Sequence, residues 1–402
     1  MAEVTNYIDR LVAELCPEGV EYRPLGDVVE YAKKREKDGT GVHLYVGVEN
    51  LKSYFLGCSP VNGSKGGIIF QKDDILLGNI RPYLKKMWLS NAEGVSSPDV
   101  LVLRIQENEE ENIVAKYLYY ILSSSKFVAY NISHSRGGKM PRGNKAKILE
   151  FEFPVPPMEI QEAIVEILDK FMNLEAELEG ELEARTLQYE YYRDSLFEAL
   201  DCPRVSLGSL GTFVRGNGLQ KKDLQESGNP VIHYGQVFTR YGLHEDKTLS
   251  YANDEVYNKL RKAEKGNLVI ATTSENDEDV CKALAWLGET PAGISGDAYI
   301  YRHEMNPKYV SYFFTTHDFQ RQKLRHITGT KVRRVSGKNL ETIEIPLPSL
   351  EEQQRIVDIL DRFDALTSSL SEGLPAELAA RRSQYEYYRD QLLTFPRKGE
   401  NQ

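Results

Sequence analysis

Two stretches of the chain place apolar side chains at alternating steps of four and three residues. The first carries Ile160, Ile164, Ile167, Phe171, Leu174, Leu178 and Leu182, then Tyr189, Tyr192 and Leu196. The second carries Ile356, Ile359, Phe363, Leu366, Leu370, Leu374 and Leu378, then Tyr385, Tyr388 and Leu392. A stripe this narrow predicts a helix that packs along a single seam, as in a coiled coil. At about 1.5 Å per residue, a helix from Glu159 to Leu200 would be about 60 Å long. Gly373 and Pro375 predict a kink or break in the second helix. Tyr7, Ile8, Leu11, Val12 and Leu15 form one face of a further helix, which Cys16-Pro17 ends.

The two stripes are copies of each other. EFPVPPMEIQEAIVEILDKF (152–171) and EIPLPSLEEQQRIVDILDRF (344–363) lie 192 residues apart, and QYEYYRD recurs at 188–194 and 384–390, 196 apart. Seven identical consecutive residues mark an internal duplication. The second copy holds four more residues, about one helical turn, so the seam survives while the helix grows by about 6 Å. In both copies a proline-rich strand leads into the helix.

The segments between the stripes share landmarks rather than sequence. GIIF (67–70) and DILLGNIR (74–81) read as short buried strands, and NLVIATT (267–273) is the counterpart of the latter. Asp99 and Asp297, 198 apart, each precede a strand and read as turn residues; KYLYYILSSSKF (116–127) matches KYVSYFFTTHDF (308–319) at 192. The change from 198 to 192 places an insertion of six in the first copy, at the acidic loop from Gln106 to Asn112. The fold class is α+β. Two globular segments are separated by a pair of long antiparallel helices (a coiled coil), and the whole is a pseudo-twofold internal repeat. The boundaries are an N-terminal helix in 1–21, globular segments in 22–150 and 202–345, and helical regions in 151–201 and 346–402.

A net charge of −10 speaks against a polyanion partner until it is divided along the chain. Residues 22–150 carry 19 basic and 14 acidic side chains, and residues 202–345 carry 20 and 17, so both globular segments are mildly basic. Residues 151–201 carry 3 and 14. An acidic helical frame holding two basic segments suits a polyanion on the segments and proteins on the frame. The basic side chains gather in two glycine-led loops, GGKMPRGNKAKIL (137–149) and GTKVRRVSGKNLE (329–341), again 192 apart. Arginine and lysine on loops can neutralise phosphates, and arginine can pair with guanine edges. The candidate DNA-binding residues are Arg136, Lys139, Arg142 and Lys145 in the first copy, and Arg325, Lys331, Arg333, Arg334 and Lys338 in the second. The tyrosines of QYEYYRD could stack on bases, but their helical spacing beside the seam assigns them to the core or to a protein partner.

Motifs for chemistry are missing. The sequence has no Gly-x-x-x-x-Gly-Lys-Ser/Thr loop and no His-Glu-x-x-His; it also lacks the Asn/Asp-Pro-Pro-Tyr tetrapeptide of an amino-methyltransferase and any acidic-x-Lys after Pro98-Asp99. The four cysteines are far apart, which reads as reduced thiols of a cytosolic protein. No apolar run is long enough to cross a membrane, and the N-terminus has no export pattern. No catalytic residue and no metal site are assigned.

These features together resemble the DNA-specificity subunit of type I restriction–modification systems. The resemblance rests on EIPLPSLEEQQRIVDILDRFDALTSSL with AARRSQYEYYRDQLLTF and spans essentially the whole chain. The first copy departs slightly, with Met158-Glu159-Ile160-Gln161 in place of the usual Leu-x-Glu-Gln. The resemblance implies two target-recognition domains, each reading one half of a bipartite, asymmetric DNA site. It implies helices that act as a ruler between the halves. It also implies two modification (methyltransferase) subunits docked on the chain, with restriction (translocase–nuclease) subunits joining them. S-adenosylmethionine, ATP and Mg²⁺ would belong to those partners, and this chain would bind no cofactor. Two other readings stand beside it: a free-standing nuclease or methyltransferase, which turnover by the chain alone would reveal, and a structural scaffold, which sequence-selective DNA binding would reject.

Overall fold

The runs VLVL (100–103), ILL (75–77) and LVIA (268–271) lack polar alternation because these strands are buried on both faces. Leu101, Leu103, Ile75 and Leu77 enter one core, while Val100, Val102 and Leu76 enter a second. Leu268 and Ile270 part from Val269 and Ala271 in the same way. The computed structural model describes residues 2–37, 41, 43–367 and 373–399. It divides into two units, residues 1–179 with 378–402, and residues 180–377.

In the first unit a four-stranded sheet has the order Val29–Tyr31, Val100–Ile105, Ile75–Gly78, Met87–Leu89, all neighbours antiparallel. A five-stranded sheet lies across the second core, and the helices Ala115–Ser123 and Ser125–Ser133 cover the first. The second unit repeats this plan. Its five-stranded sheet is ordered Gly211–Arg215, Ala298–His303, Leu268–Ala271, Lys282–Trp286, His244–Glu245, and its helices are Pro307–Phe313 and His317–Leu324. In each unit the proline-rich strand pairs antiparallel with the strand that opens the globular segment: Glu152–Pro154 with Tyr22–Pro24, and Glu344–Pro346 with Arg204–Ser206.

The central helix runs from Met158 to Glu198, 41 residues. It begins in the first unit and ends in the second. The second stripe forms two helices, Leu350–Thr367 and Gly373–Leu392. Gly373 sits at φ +75°, where a Cβ would come within 2.5 Å of the Ala365 carbonyl oxygen; eight residues of continuous helix would part the two by about 12 Å, so the four extra residues do not lengthen the helix by the expected amount of about 6 Å. Pro375 lies in the first turn of the final helix, where its missing N–H has no partner to lose. Leu370, an expected seam residue, lies outside the described residues.

The seam differs from the expected one. Its first turns pack on the globular segments. Ile160, Ile164 and Leu168 are buried in the first globular core, and Ile356, Val357 and Leu360 in the second. Helix meets helix further along. In the first unit Phe171 stacks on Tyr388 at 5.8 Å, and Arg382 bridges Glu175 and Glu179, which sets the two helices antiparallel. In the second unit Tyr192 stacks on Phe363 at 5.7 Å.

The residues retained between the copies are those that fasten helix to globular segment. Gln161 is fully buried; it accepts from Val114 N (3.0 Å) and donates to the Asn112 and Pro156 carbonyls (both 2.8 Å). Gln353 does the same with Asn306 N (2.9 Å) and the Pro348 carbonyl (3.0 Å). Asp169 accepts from Lys116 Nζ (2.8 Å) and Tyr120 O–H (2.5 Å); Asp361 accepts from Lys308 Nζ and Tyr312 O–H (both 2.7 Å). Burial first, and the carboxylate second, push both phenols far above the ordinary tyrosine range, so they remain donors. The aspartates of QYEYYRD cap the second helix of the globular segment in each unit: Asp390 accepts from Ser125 N (3.1 Å) and Asp194 from His317 N (2.8 Å). The departure at 158–160 leaves Gln161 untouched and replaces the half-buried Glu352 by the buried Ile160.

The chain's end completes the first unit. Leu392, Leu393 and Phe395 enter its core, and Val20 exchanges backbone hydrogen bonds with Pro396 and Lys398 (2.8 and 3.0 Å). Gly19, at φ +92°, is required there, because a Cβ would lie 2.9 Å from the Pro396 carbonyl oxygen.

Gln161→Leu leaves one buried N–H and two carbonyls unpaired, and should destabilise the chain by about 3 kcal/mol in urea unfolding. Gln354→Leu, at the exposed neighbour of Gln353, should change stability by no more than about 0.5 kcal/mol.

Candidate nucleic-acid interface

Each basic loop is closed by its own backbone. Arg136 and Arg142 exchange N–H···O bonds at 2.8 Å in both directions; Thr328 and Arg334 do so at 2.9 Å. The enclosed turns, 137–141 and 329–333, begin with Gly137 at φ +105° and Gly329 at φ +94°. A Cβ on Gly329 would lie 2.1 Å from the Val332 carbonyl oxygen, so glycine is required at that position. Lys139 and Lys331 therefore occupy the same place in two similarly built turns.

The loops are anchored to the central strands through matching contacts. The Asp99 carbonyl accepts from Asn79 N (2.9 Å), and the Asp297 carbonyl from Thr272 N (3.1 Å). Arg81 N donates to the Pro141 carbonyl (2.7 Å) and Gly143 N to the Asn79 carbonyl (3.1 Å). In the second unit Thr273 and Ser274 pair with Arg334 and Arg333 as a two-residue antiparallel ladder. Asp99 and Asp297 are turn residues in both units, as their position before a strand suggested. Each loop then passes into a short capped helix, Lys145–Leu149 behind Asn144 and Gly337–Glu341 behind Ser336.

Arg136, Lys139, Arg142 and Lys145 are all exposed, as are Arg325, Lys331, Arg334 and Lys338, while Arg333 is half-buried. Two of the nine have acidic partners: Arg142 pairs with Asp99 at 2.9 Å and Arg333 with Asp277 at 2.8 Å. Among the described residues Lys139, Lys331, Arg334 and Lys338 form no ion pair, so their charge is available to a ligand. Lys145 lies over the Tyr31 ring at 6.0 Å. Arg325 stands apart, just past the end of the helix His317–Leu324 and outside the closed loop. Residues 112–149 and 319–340 contain no aspartate or glutamate at all. The local field is thus far more positive than the segment totals suggest.

The pattern reading missed Lys323 and Asp277. Lys323 is fully buried, and its ammonium donates to the carbonyls of Asp277, Glu278 and Val280 at 2.7, 3.1 and 3.1 Å. Burial pulls its pKa down, against the neighbouring acidic groups. The lysine fixes the 277–280 turn, which brings Asp277 to Arg333. A lysine among exposed basic residues gives no sequence signal of burial. A cavity of about 1930 Å³ lies elsewhere in the second unit and is lined by Arg193, His244, Lys282, Trp286 and Asp361; none of the nine residues lines it.

The chain matches the family described as "Type I restriction modification DNA specificity domain" twice, over residues 17–185 and 202–380. The chain belongs to that family. The specificity subunit of the type I restriction enzyme EcoR124I/EcoR124II from Escherichia coli is 29% identical over 98% of both chains. A type I restriction enzyme specificity subunit of Haemophilus influenzae is 27% identical over 94% of this chain and 96% of its own. A solved chain from work on assembly and conformational transition of the type I system shares the fold, with TM-score 0.63 at 16% identity, over 93% of this chain and 97% of that one. As a specificity subunit of a type I restriction–modification complex, the chain recognises DNA and is not itself the enzyme. No described helix of the specificity subunit is long and apolar enough to cross a membrane.

Lys323→Met in this specificity subunit should cost about 3 kcal/mol in urea unfolding, since three carbonyls lose a charged donor.

Proposed function

We propose that residues 22–150 and 202–345 are two recognition domains, each reading one half of a bipartite, asymmetric DNA site through its closed basic loop. The N-terminal helix (1–21) and the helical regions 151–201 and 346–402 form the frame. One observation carries this reading: the same backbone-closed, acid-free turn is built twice, with Lys139 and Lys331 at matched positions. Lys139, Lys145, Lys331 and Lys338 supply phosphate contacts, and Arg136, Arg142, Arg325, Arg333 and Arg334 supply phosphate or guanine contacts. Arg142 and Arg333, already held by Asp99 and Asp277, are the best oriented of these.

The frame carries the partners. QYEYYRD spends most of its residues on the fold: Tyr189 is buried, Tyr192 stacks, Arg193 pairs with Asp194, and Asp194 caps a helix. Tyr191 and its counterpart Tyr387 remain exposed in both copies. We assign them to the docking of one methyltransferase subunit each, with restriction subunits joining the assembly. S-adenosylmethionine, ATP and Mg²⁺ are then the cofactors of those partners, and the complex works in the cytoplasm. The helices set the spacer between half-sites. DNA rises about 3.4 Å per base pair, so a change of four residues in a continuous helix, about 6 Å, corresponds to about two base pairs.

Two measurements test this reading on the complex with the methyltransferase. Lys139→Ala or Lys331→Ala should weaken binding to every DNA sequence and lower the slope of log affinity against log salt by about one; an unchanged affinity would return the loops to a structural role. Removing four consecutive helical residues between Pro375 and Gln384 should shorten the preferred spacer, read by methylation-aware sequencing. An unchanged spacer would reject the ruler.

A further inference from the structure

Large apolar side chains are exposed at several points of the globular segments, among them Tyr54, Leu56, Val61, Tyr83 and Leu249. None of these five has an exposed apolar counterpart at the repeat distance of 192 or 198 residues. Two pairs in the globular segments do, one inside the basic loops and one just before them, while Leu174 and Leu366 form a third pair on the helices. Ile132 and Leu324, 192 apart at the ends of equivalent helices, are 40% and 57% exposed. Met140 and Val332, also 192 apart and each following the turn lysine, are 54% and 42% exposed. A single exposed apolar residue needs no explanation. Apolar exposure retained at two matched positions, in segments that otherwise diverged, calls for a ligand that covers it.

The surroundings limit what that ligand is. Met140 and Val332 sit in stretches without any acidic residue and with five basic ones, Arg136 to Lys147 in one copy and Arg325 to Lys338 in the other, and Ile132 and Leu324 lie just before them. An apolar point inside a cationic rim matches an anionic backbone around apolar groups. DNA presents that arrangement: phosphates flank grooves in which the thymine C5-methyl and the base faces are the apolar surfaces. Phosphate contacts position a protein but carry no sequence information. We infer that Met140 and Val332, backed by Ile132 and Leu324, are specificity-determining contacts to base edges, one pair in each half-site. This inference rests on the loops being the DNA contact. It adds that affinity and discrimination reside in different side chains of the same turn: lysine for the backbone, its apolar neighbour for the bases.

The test compares the methyltransferase complexes of Met140→Ser, Val332→Ser and Lys139→Ala on three duplexes: the target, a non-target, and the target with deoxyuridine for thymidine in one half at a time. Met140→Ser should reduce the ratio of target to non-target affinity by about tenfold. It should also abolish the effect of deoxyuridine in the half read by residues 22–150 only, while the non-target affinity and salt slope stay unchanged. Val332→Ser should do the same in the other half. Full discrimination in both serine variants, alongside a weakened Lys139→Ala, would overturn the inference and leave the loops as backbone contacts. Unchanged affinity in Lys139→Ala as well would overturn the loop reading itself.

Discussion

The carboxylates of Asp169 and Asp361 hold each globular segment to its helix. Each accepts a lysine and a tyrosine from the first helix of the segment, and each lies about two helical turns beyond a buried glutamine that binds the preceding loop. The glutamines are buried and the aspartates half-buried beside cores of Ile160, Ile164 and Leu168, or Ile356, Val357 and Leu360. A buried polar network is favourable only when all its members are satisfied. It therefore admits one orientation of segment on helix, where apolar packing alone would tolerate several. A recognition loop on a rigid segment has a defined place only if the segment has a defined place on the frame.

This division explains what diverged and what did not. Gln161, Asp169, Tyr189, Arg193 and Asp194 recur as Gln353, Asp361, Tyr385, Arg389 and Asp390 because each packs against, pairs with or caps part of the fold in both units. The strands and turns that hold the loops are free to change provided both faces of the central strands stay apolar. Carrying two different loops on two equivalent mounts lets one chain read two unrelated half-sites.

Much of this was legible in the sequence. The duplication, the places of the central strands and the basic loops follow from identity, apolar runs and glycine placement, though the strands are shorter than the apolar runs suggest, Ile75–Gly78 and Leu268–Ala271. The seam was only partly legible, because a step of three and four marks a buried helical face without saying what covers it. Here the globular core covers Ile160 and Ile164, and a second helix covers Phe171. The closed backbone of 136–142, the burial of Lys323 and the pairing of Arg333 with Asp277 depend on residues distant in sequence. Composition cannot show which lysine is inside. The acidic loop at 106–112 likewise hides a structural residue, since Glu109 is buried against Arg23 in a two-point ion pair at 2.8 Å.

The central claim is that each globular segment reads one half of a divided DNA site while the helical frame keeps the halves at a fixed distance. The most direct measurement replaces residues 22–150 by the corresponding segment of another family member, expresses the chimera with the methyltransferase, and maps every methylated site in the host genome. The account predicts a bipartite target in which one half changes, the other half stays, and the spacer is unaltered. A target changed in both halves, or a changed spacer with both halves intact, would contradict it.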